Sequence, residues 1–146
     1  MFYNLNRDTI LHLVFMEPST MNMHKIISGL FFTLAMTLNF GFFYGDPTQL
    51  IEHSAYELFA AIVVNLIATV LKLGDRTQLG AVLLATSIVA DIQLIASATV
   101  WAFAEYIAQN VGTEATAAIV SLSGGALLAN AVSVILFVGD TIKSKR

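Results

Sequence analysis

Four stretches of this chain are apolar enough to cross a bilayer, and no other feature constrains the fold as strongly. At 1.5 Å of rise per residue, about 20 residues span the roughly 30 Å of hydrocarbon. Residues 26–44, 56–73, 79–104 and 117–138 approach or exceed that length. The segments between them carry charges, Gly and Pro, which end each apolar run. Connections this short make consecutive helices antiparallel neighbours. The expected fold is therefore all-α, an integral membrane antiparallel four-helix transmembrane bundle.

Composition agrees. Hydrophobic residues make up 57% of the 146 residues and charged residues only 12%, about half the share usual in a soluble domain. The membrane-spanning domain occupies 23–146. Residues 1–22 form a separate leader, read either as a short amphipathic segment on the membrane surface or as the product of an over-long start, with Met1, Met21 and Met23 as alternative first residues. The first span is too long for a signal-peptide core and no small-residue cleavage site follows it, so it is read as a retained helix.

Orientation follows from the basic residues, which stay on the cytoplasmic side when they lie close to a span. Arg7 and Lys25 precede the first span, Lys72 and Arg76 flank the second loop, and Lys143, Lys145 and Arg146 follow the fourth. All seven lie on one side, which puts both termini in the cytoplasm. The other side holds Asp46, Glu52, Glu57, Glu105 and Glu114 without a Lys or Arg. Tyr44, Tyr56, Trp101 and Tyr106 sit at that boundary, as interfacial aromatics do.

The polar residues within the spans carry the functional information. Asp91 stands almost at the middle of the third span, where an ionised carboxylate costs about 2.5–3.5 kcal/mol or more, so it must face protein or water. Asn65 and Asn130 lie near the centres of the second and fourth spans, at a depth where all three residues could meet. With about 100° of turn per residue, Thr86, Ser87, Ala90, Asp91, Gln93, Leu94, Ser97, Ala98 and Trp101 share one side of the third helix. Leu84, Ile88, Val89, Ile92, Ile95 and Val100 share the other, the division expected between protein-facing and lipid-facing sides. Comparable stripes run through Glu57, Ala61, Asn65, Thr69 and Lys72; through Ser123, Ala126, Asn130, Ser133 and Phe137; and, more weakly, through Ser28, Phe32, Ala35 and Asn39. Ser121, Gly125, Ala129 and Ser133 form a ladder of small residues that allows close helix packing.

Two readings of this polar layer compete. In the first, Asp91, Asn65 and Asn130 form a proton or cation site, because intramembrane carboxylates commonly line ion pathways. In the second, the three are hydrogen-bonding glue that sets helix register, and the chain is a structural or regulatory subunit. Enzymatic activity is not expected. The serines near 121–125 have no His within a span to act as base, and no Cys is present for thiolate or iron–sulfur chemistry. No cofactor or metal site is assigned. His53 with Glu52 and Glu57 offers the kind of small ligand set that arises by chance on a wet loop. An acidic chain lacking a basic run beyond the 143–146 tail gives no reason to expect nucleic acid. The expected partners are the lipid bilayer and either further copies of the chain or a larger membrane protein.

Known four-helix membrane families can be checked by the residues they require. Disulfide generators need Cys pairs, haem-binding bundles need His within the spans, and voltage sensors need a row of Arg in the fourth helix; none of these is present. The stretch NLIATVLKLGDR at 65–76, with ADIQ at 90–93, resembles a family of small bacterial inner-membrane proteins of uncharacterised function. The resemblance covers most of 23–146 and implies a multi-pass location in the inner (plasma) membrane, without implying an activity.

Overall fold

The structure is a computed structural model that describes residues 23–143. The leader at 1–22, with Arg7 and the alternative starts at Met1 and Met21, lies outside the described residues, as do Lys145 and Arg146. Four long helices account for nearly everything described: α1 (Met23–Phe43), α2 (Ala55–Lys72), α3 (Gln78–Ala102) and α4 (Thr113–Lys143). Each is long and apolar enough to span a membrane, and the described residues contain no strand. At 31 residues α4 is about 46 Å long, so it outreaches the hydrocarbon layer.

The helices form a ring in which α1 packs against α2 and α4, and α3 packs against α2 and α4. The α3–α4 contact is the most extensive. At one end, Lys25 of α1 approaches Asp140 of α4 to 3.7 Å, and the rings of Phe32 and Phe137 meet edge to face at 5.1 Å. At the other end, Phe42 contacts both His53 and Trp101. Between them lies a core of Phe42, Leu58, Ala61, Ala90, Leu94, Ile119 and Ala126. Its alanines let the backbones approach closely, which is how helices associate where lipid removes the hydrophobic drive between them.

The faces divide by side-chain character. Ser28, Phe32, Ala35 and Asn39 are buried on α1; Ser123, Ala126, Asn130 and Ser133 are buried on α4; and no member of the α3 polar side is exposed. Ile88, Val89, Ile92 and Ile95 point outward, but Leu84 and Val100 of the expected lipid-facing side are half-buried, Val100 because it packs against the core. Two stripe members depart from expectation. Glu57 is exposed at the start of α2, and Ser121 of the small-residue ladder is also exposed. The buried edge of α4 runs instead through Thr116, Ile119, Val120 and Ser123.

The ends of α3 have distinct local causes. Its first turn is capped by Thr77, whose hydroxyl accepts from the Gly80 amide at 2.9 Å. The Asp75 carboxylate in turn accepts from the amide and hydroxyl of Thr77 at 2.9 and 2.7 Å. Thr77 thus satisfies one of the amides that every helix start leaves without an intrahelical partner. Past Ala102 the chain does not leave the helix, as the charge at Glu105 suggests it would. It widens into a π-helical turn over Phe103–Ile107, with the Ala108 amide donating five residues back to Phe103. Gln109 then adopts φ of 52° and releases the chain towards α4.

Candidate functional site

The centre of the bundle is organised by a residue that loop-counting places elsewhere. Lys72 ends α2, but its ammonium is buried inside the ring rather than turned out into the following loop. Helix geometry explains the direction, since Cα–Cβ bonds tilt towards the helix N-terminus and a long side chain at the last residue runs back along its own helix. The ammonium donates to the hydroxyls of Ser87 on α3 and Ser133 on α4, the latter at 3.1 Å. It also sits 4.1 Å from the centre of the Phe32 ring on α1, within the range of a cation–π contact. One side chain therefore touches all three other helices.

Its hydroxyl partners form an ordered chain of donors. Thr86 donates to the Leu83 carbonyl at 2.9 Å and shares a 2.6 Å contact with Ser133. With the Thr86 proton committed to Leu83, Ser133 must donate to Thr86 and accept from Lys72. The sequence Lys72, Ser133, Thr86, Leu83 is then satisfied at every hydroxyl, in the direction that a charged ammonium imposes.

Asp91 is buried nearby on α3 and interacts electrostatically with Lys72. One carboxylate oxygen accepts from the Thr69 hydroxyl of α2 at 2.5 Å. The other, Oδ1, is buried without a hydrogen-bond partner in the protein. Of the three residues expected to share a polar layer, Asp91 is thus engaged with Thr69 and Lys72 of α2 rather than with the asparagines. The Asn65 amide donates to the Ala61 carbonyl of its own helix at 2.9 Å. Asn130 is buried with Nδ2 unpartnered, and Asn39, Ser123 and Gln93 also carry buried polar atoms without a protein partner. Gly125 belongs to this packing, for a Cβ there would come within 2.6 Å of the Gln93 amide. Ser133 is the ladder residue that joins the polar centre, and Ala129 packs against the core.

A cleft of about 100 Å³ opens onto the centre from the Lys25–Asp140 end, lined by Ser28, Phe32, Lys72, Asp75 and Asp140 among others. That is room for several waters. In the loop at its mouth, the amide and then the hydroxyl of Thr77 hold the Asp75 carboxyl below its ordinary range. At the opposite end His53 is buried, with Nδ1 2.7 Å from the Phe42 carbonyl and Nε2 3.0 Å from that of Asp46. Both ring nitrogens face backbone carbonyl oxygens rather than the Glu52 and Glu57 carboxylates, so the His53, Glu52 and Glu57 set does not converge as ligands. Asp46 is held below its usual range chiefly by the Thr48 hydroxyl, and also by the Thr48 amide and Gln49.

Lys72, Thr69, Ser87 and Ser133 all stand on faces that helical periodicity assigns to the interior. The role of Lys72 is missed because a base at the end of a span is ordinarily counted with the loop. The signal was its place one turn beyond Thr69 and two turns beyond Asn65 on the inward stripe of α2.

No curated protein and no solved structure matches the chain. The model of a family of unknown function (DUF6394) matches residues 52–141, more than half of the sequence. That segment contains Thr69, Lys72, Thr86, Ser87, Asp91 and Ser133, the whole polar centre apart from Phe32.

Proposed function

We propose that this chain, which belongs to the DUF6394 family, handles protons or small cations within the membrane, with Asp91 and Lys72 as the working pair. The observation that carries the reading is the Lys72 ammonium, buried among all four helices within electrostatic range of the Asp91 carboxylate though not in direct contact with it, while one oxygen of that carboxylate is unpartnered. Ionisable groups at membrane depth are costly and mark proton and ion pathways. An ammonium and a carboxylate in such a site can exist as an ion pair or as a neutral amine and acid, and the two states differ only by the position of one proton. Thr69 holds Asp91 in place; Ser87, Ser133 and the Phe32 ring hold Lys72. With the ammonium already occupying the place of a counter-ion, a proton suits the site better than a metal cation.

The cleft supports access from the Lys25–Asp140 end, and the unpartnered atoms of Asn130, Ser123 and Asn39 supply hydrogen-bonding positions beyond Asp91. Asn65 and Asn130 belong to this reading as polar lining rather than as direct ligands. In this account the helices alternate in direction, both termini face the cytoplasm across a bacterial inner membrane, and the chain is not an enzyme. It works as a homo-oligomer or with a larger membrane protein, because four helices packed on alanine and glycine leave no wide pore of their own. That close packing, with Gln93 seated on Gly125, favours the second reading, a structural or regulatory subunit whose polar centre fixes helix register.

Purified protein in liposomes with an imposed pH gradient separates the two. Proton handling predicts dissipation of the gradient by the wild type and its loss in Asp91→Asn with the fold retained. A folded wild type that dissipates nothing refutes proton handling by the chain on its own, and an Asp91→Asn variant as active as the wild type refutes the role of Asp91.

A further inference from the structure

A gap between α2 and α3 lies away from the charged centre, towards the Phe42–Trp101 end. It is a cavity of about 210 Å³ lined by Phe59, Ala98, Trp101, Ala102, Glu105 and Tyr106, among others. Small side chains create it, since Ala55 on α2 faces the opening together with Ala98 and Ala102 on α3. Aromatic anchoring at a membrane surface accounts for Tyr106, which is 80% exposed. It does not account for a groove that also has aromatic walls at Phe59 and Trp101. Trp101 is half-buried and braced from behind by the fully buried Phe42, with ring centres 6.1 Å apart. One face of the groove is thereby held in place.

The groove carries a charge of one sign. Glu105 stands in its lining, on the π-helical turn Phe103–Ile107 that widens α3 just where the groove lies. Single π turns within α-helices recur at functional sites. No Lys or Arg occurs between 26 and 71 or between 77 and 142, so no neighbouring base in these stretches neutralises Glu105. Electron-rich ring faces beside an uncompensated carboxylate, at the margin of an apolar slot, match one ligand chemistry: an alkylammonium head with an apolar tail. We propose that the α2–α3 groove binds amphiphilic organic cations, with Trp101, Phe59 and Tyr106 receiving the ammonium and Glu105 balancing its charge. This site is independent of the Asp91–Lys72 centre.

Trp101 is the chain's only tryptophan, so its emission reports directly from the groove. Dodecyltrimethylammonium, kept below its micelle concentration, is titrated into the full chain in nanodiscs, with dodecanol as the neutral amphiphile and protein-free nanodiscs for partitioning. The expected result is a saturable change in Trp101 emission that dodecanol does not produce, with affinity reduced about tenfold in Glu105→Gln. Ala98→Phe, which fills the slot without changing charge, is expected to abolish the saturable change. A response no larger than partitioning, equal saturation by dodecanol, or unchanged affinity in Glu105→Gln overturns the proposal. The outcome with dodecanol would identify a plain acyl-chain groove.

Discussion

Replacing Lys72 with Met tests whether the centre of the bundle is a coupled charge pair. Met keeps much of the length and flexibility of the side chain but removes the ammonium. The direct losses are two bonds to hydroxyls, worth about 0.6 kcal/mol each within a membrane protein, and a desolvated cation–π contact worth about 2 kcal/mol. Against these stands the relief of no longer placing an ammonium in the membrane, about 2.5–3.5 kcal/mol at a span centre and less near its end. These terms nearly cancel, so they do not decide the outcome. What decides it is Asp91, left with Thr69 as its one hydrogen-bond donor and no counter-charge. Breaking a buried contact pair costs about 3–5 kcal/mol, which is an upper bound here because Lys72 and Asp91 interact without direct contact. Lys72→Met alone should therefore destabilise, and Lys72→Met combined with Asp91→Asn should return to within about 1 kcal/mol of the wild type, because a neutral amide does not strand a charge. The assay is a double-mutant cycle of unfolding free energies in bicelles. Additivity of the two substitutions within about 0.5 kcal/mol, the margin expected of independent sites, would refute the coupling.

Three further outcomes follow from local geometry. Gly80→Ala would press a Cβ into the Asp75 carboxyl and dislodge it from Thr77, costing about 0.5–2 kcal/mol as other lost helix caps do; Gly139→Ala, with nothing within 4 Å, should instead stabilise by up to about 1 kcal/mol through helix propensity, and thermal melts in detergent compare the two. Because Thr77 lowers the Asp75 carboxyl below its ordinary value of about 4, the cap contributes fully above that pH and is lost as pH falls through the lowered value; exchange of the Thr77 amide should accelerate there in the wild type and show no such step in Asp75→Asn. Ser97 donates to the Ile119 carbonyl across the α3–α4 contact at 2.9 Å, so Ser97→Ala should cost about 0.6 kcal/mol and no more than about 1.7 kcal/mol in the same unfolding assay.

The interior faces could be read from the sequence because lipid and protein select different residues. Ser28, Phe32, Ala35 and Asn39 on α1, with Ser123, Ala126, Asn130 and Ser133 on α4, follow helical spacing and are all buried. Asp91 was legible for the same reason, since no charged group at mid-span can face lipid. Its partners were harder to read. Periodicity fixes the angle of a residue around its helix but not the reach of its side chain, so Lys72 counted as a loop charge while its ammonium lies within the bundle. Asn65 shows the converse: its depth suits a bond to Asp91, yet its amide finds the Ala61 carbonyl one turn away, a local partner that costs less ordering than a partner on another helix. The π turn after Ala102 was hidden because Glu105 and Tyr106 read as the start of a polar loop, although the backbone stays helical beneath them.

Whether the buried pair changes its protonation is tested most directly by infrared difference spectroscopy on protein labelled with ¹³C-carboxyl aspartate in lipid. The account predicts that stepping the pH across the membrane changes the signal of a buried aspartic acid, that Asp91→Asn removes this change, and that Lys72→Met shifts the pH at which it occurs. A spectrum in which no buried aspartate responds, or in which Asp91→Asn leaves the response intact, would contradict proton handling at this centre.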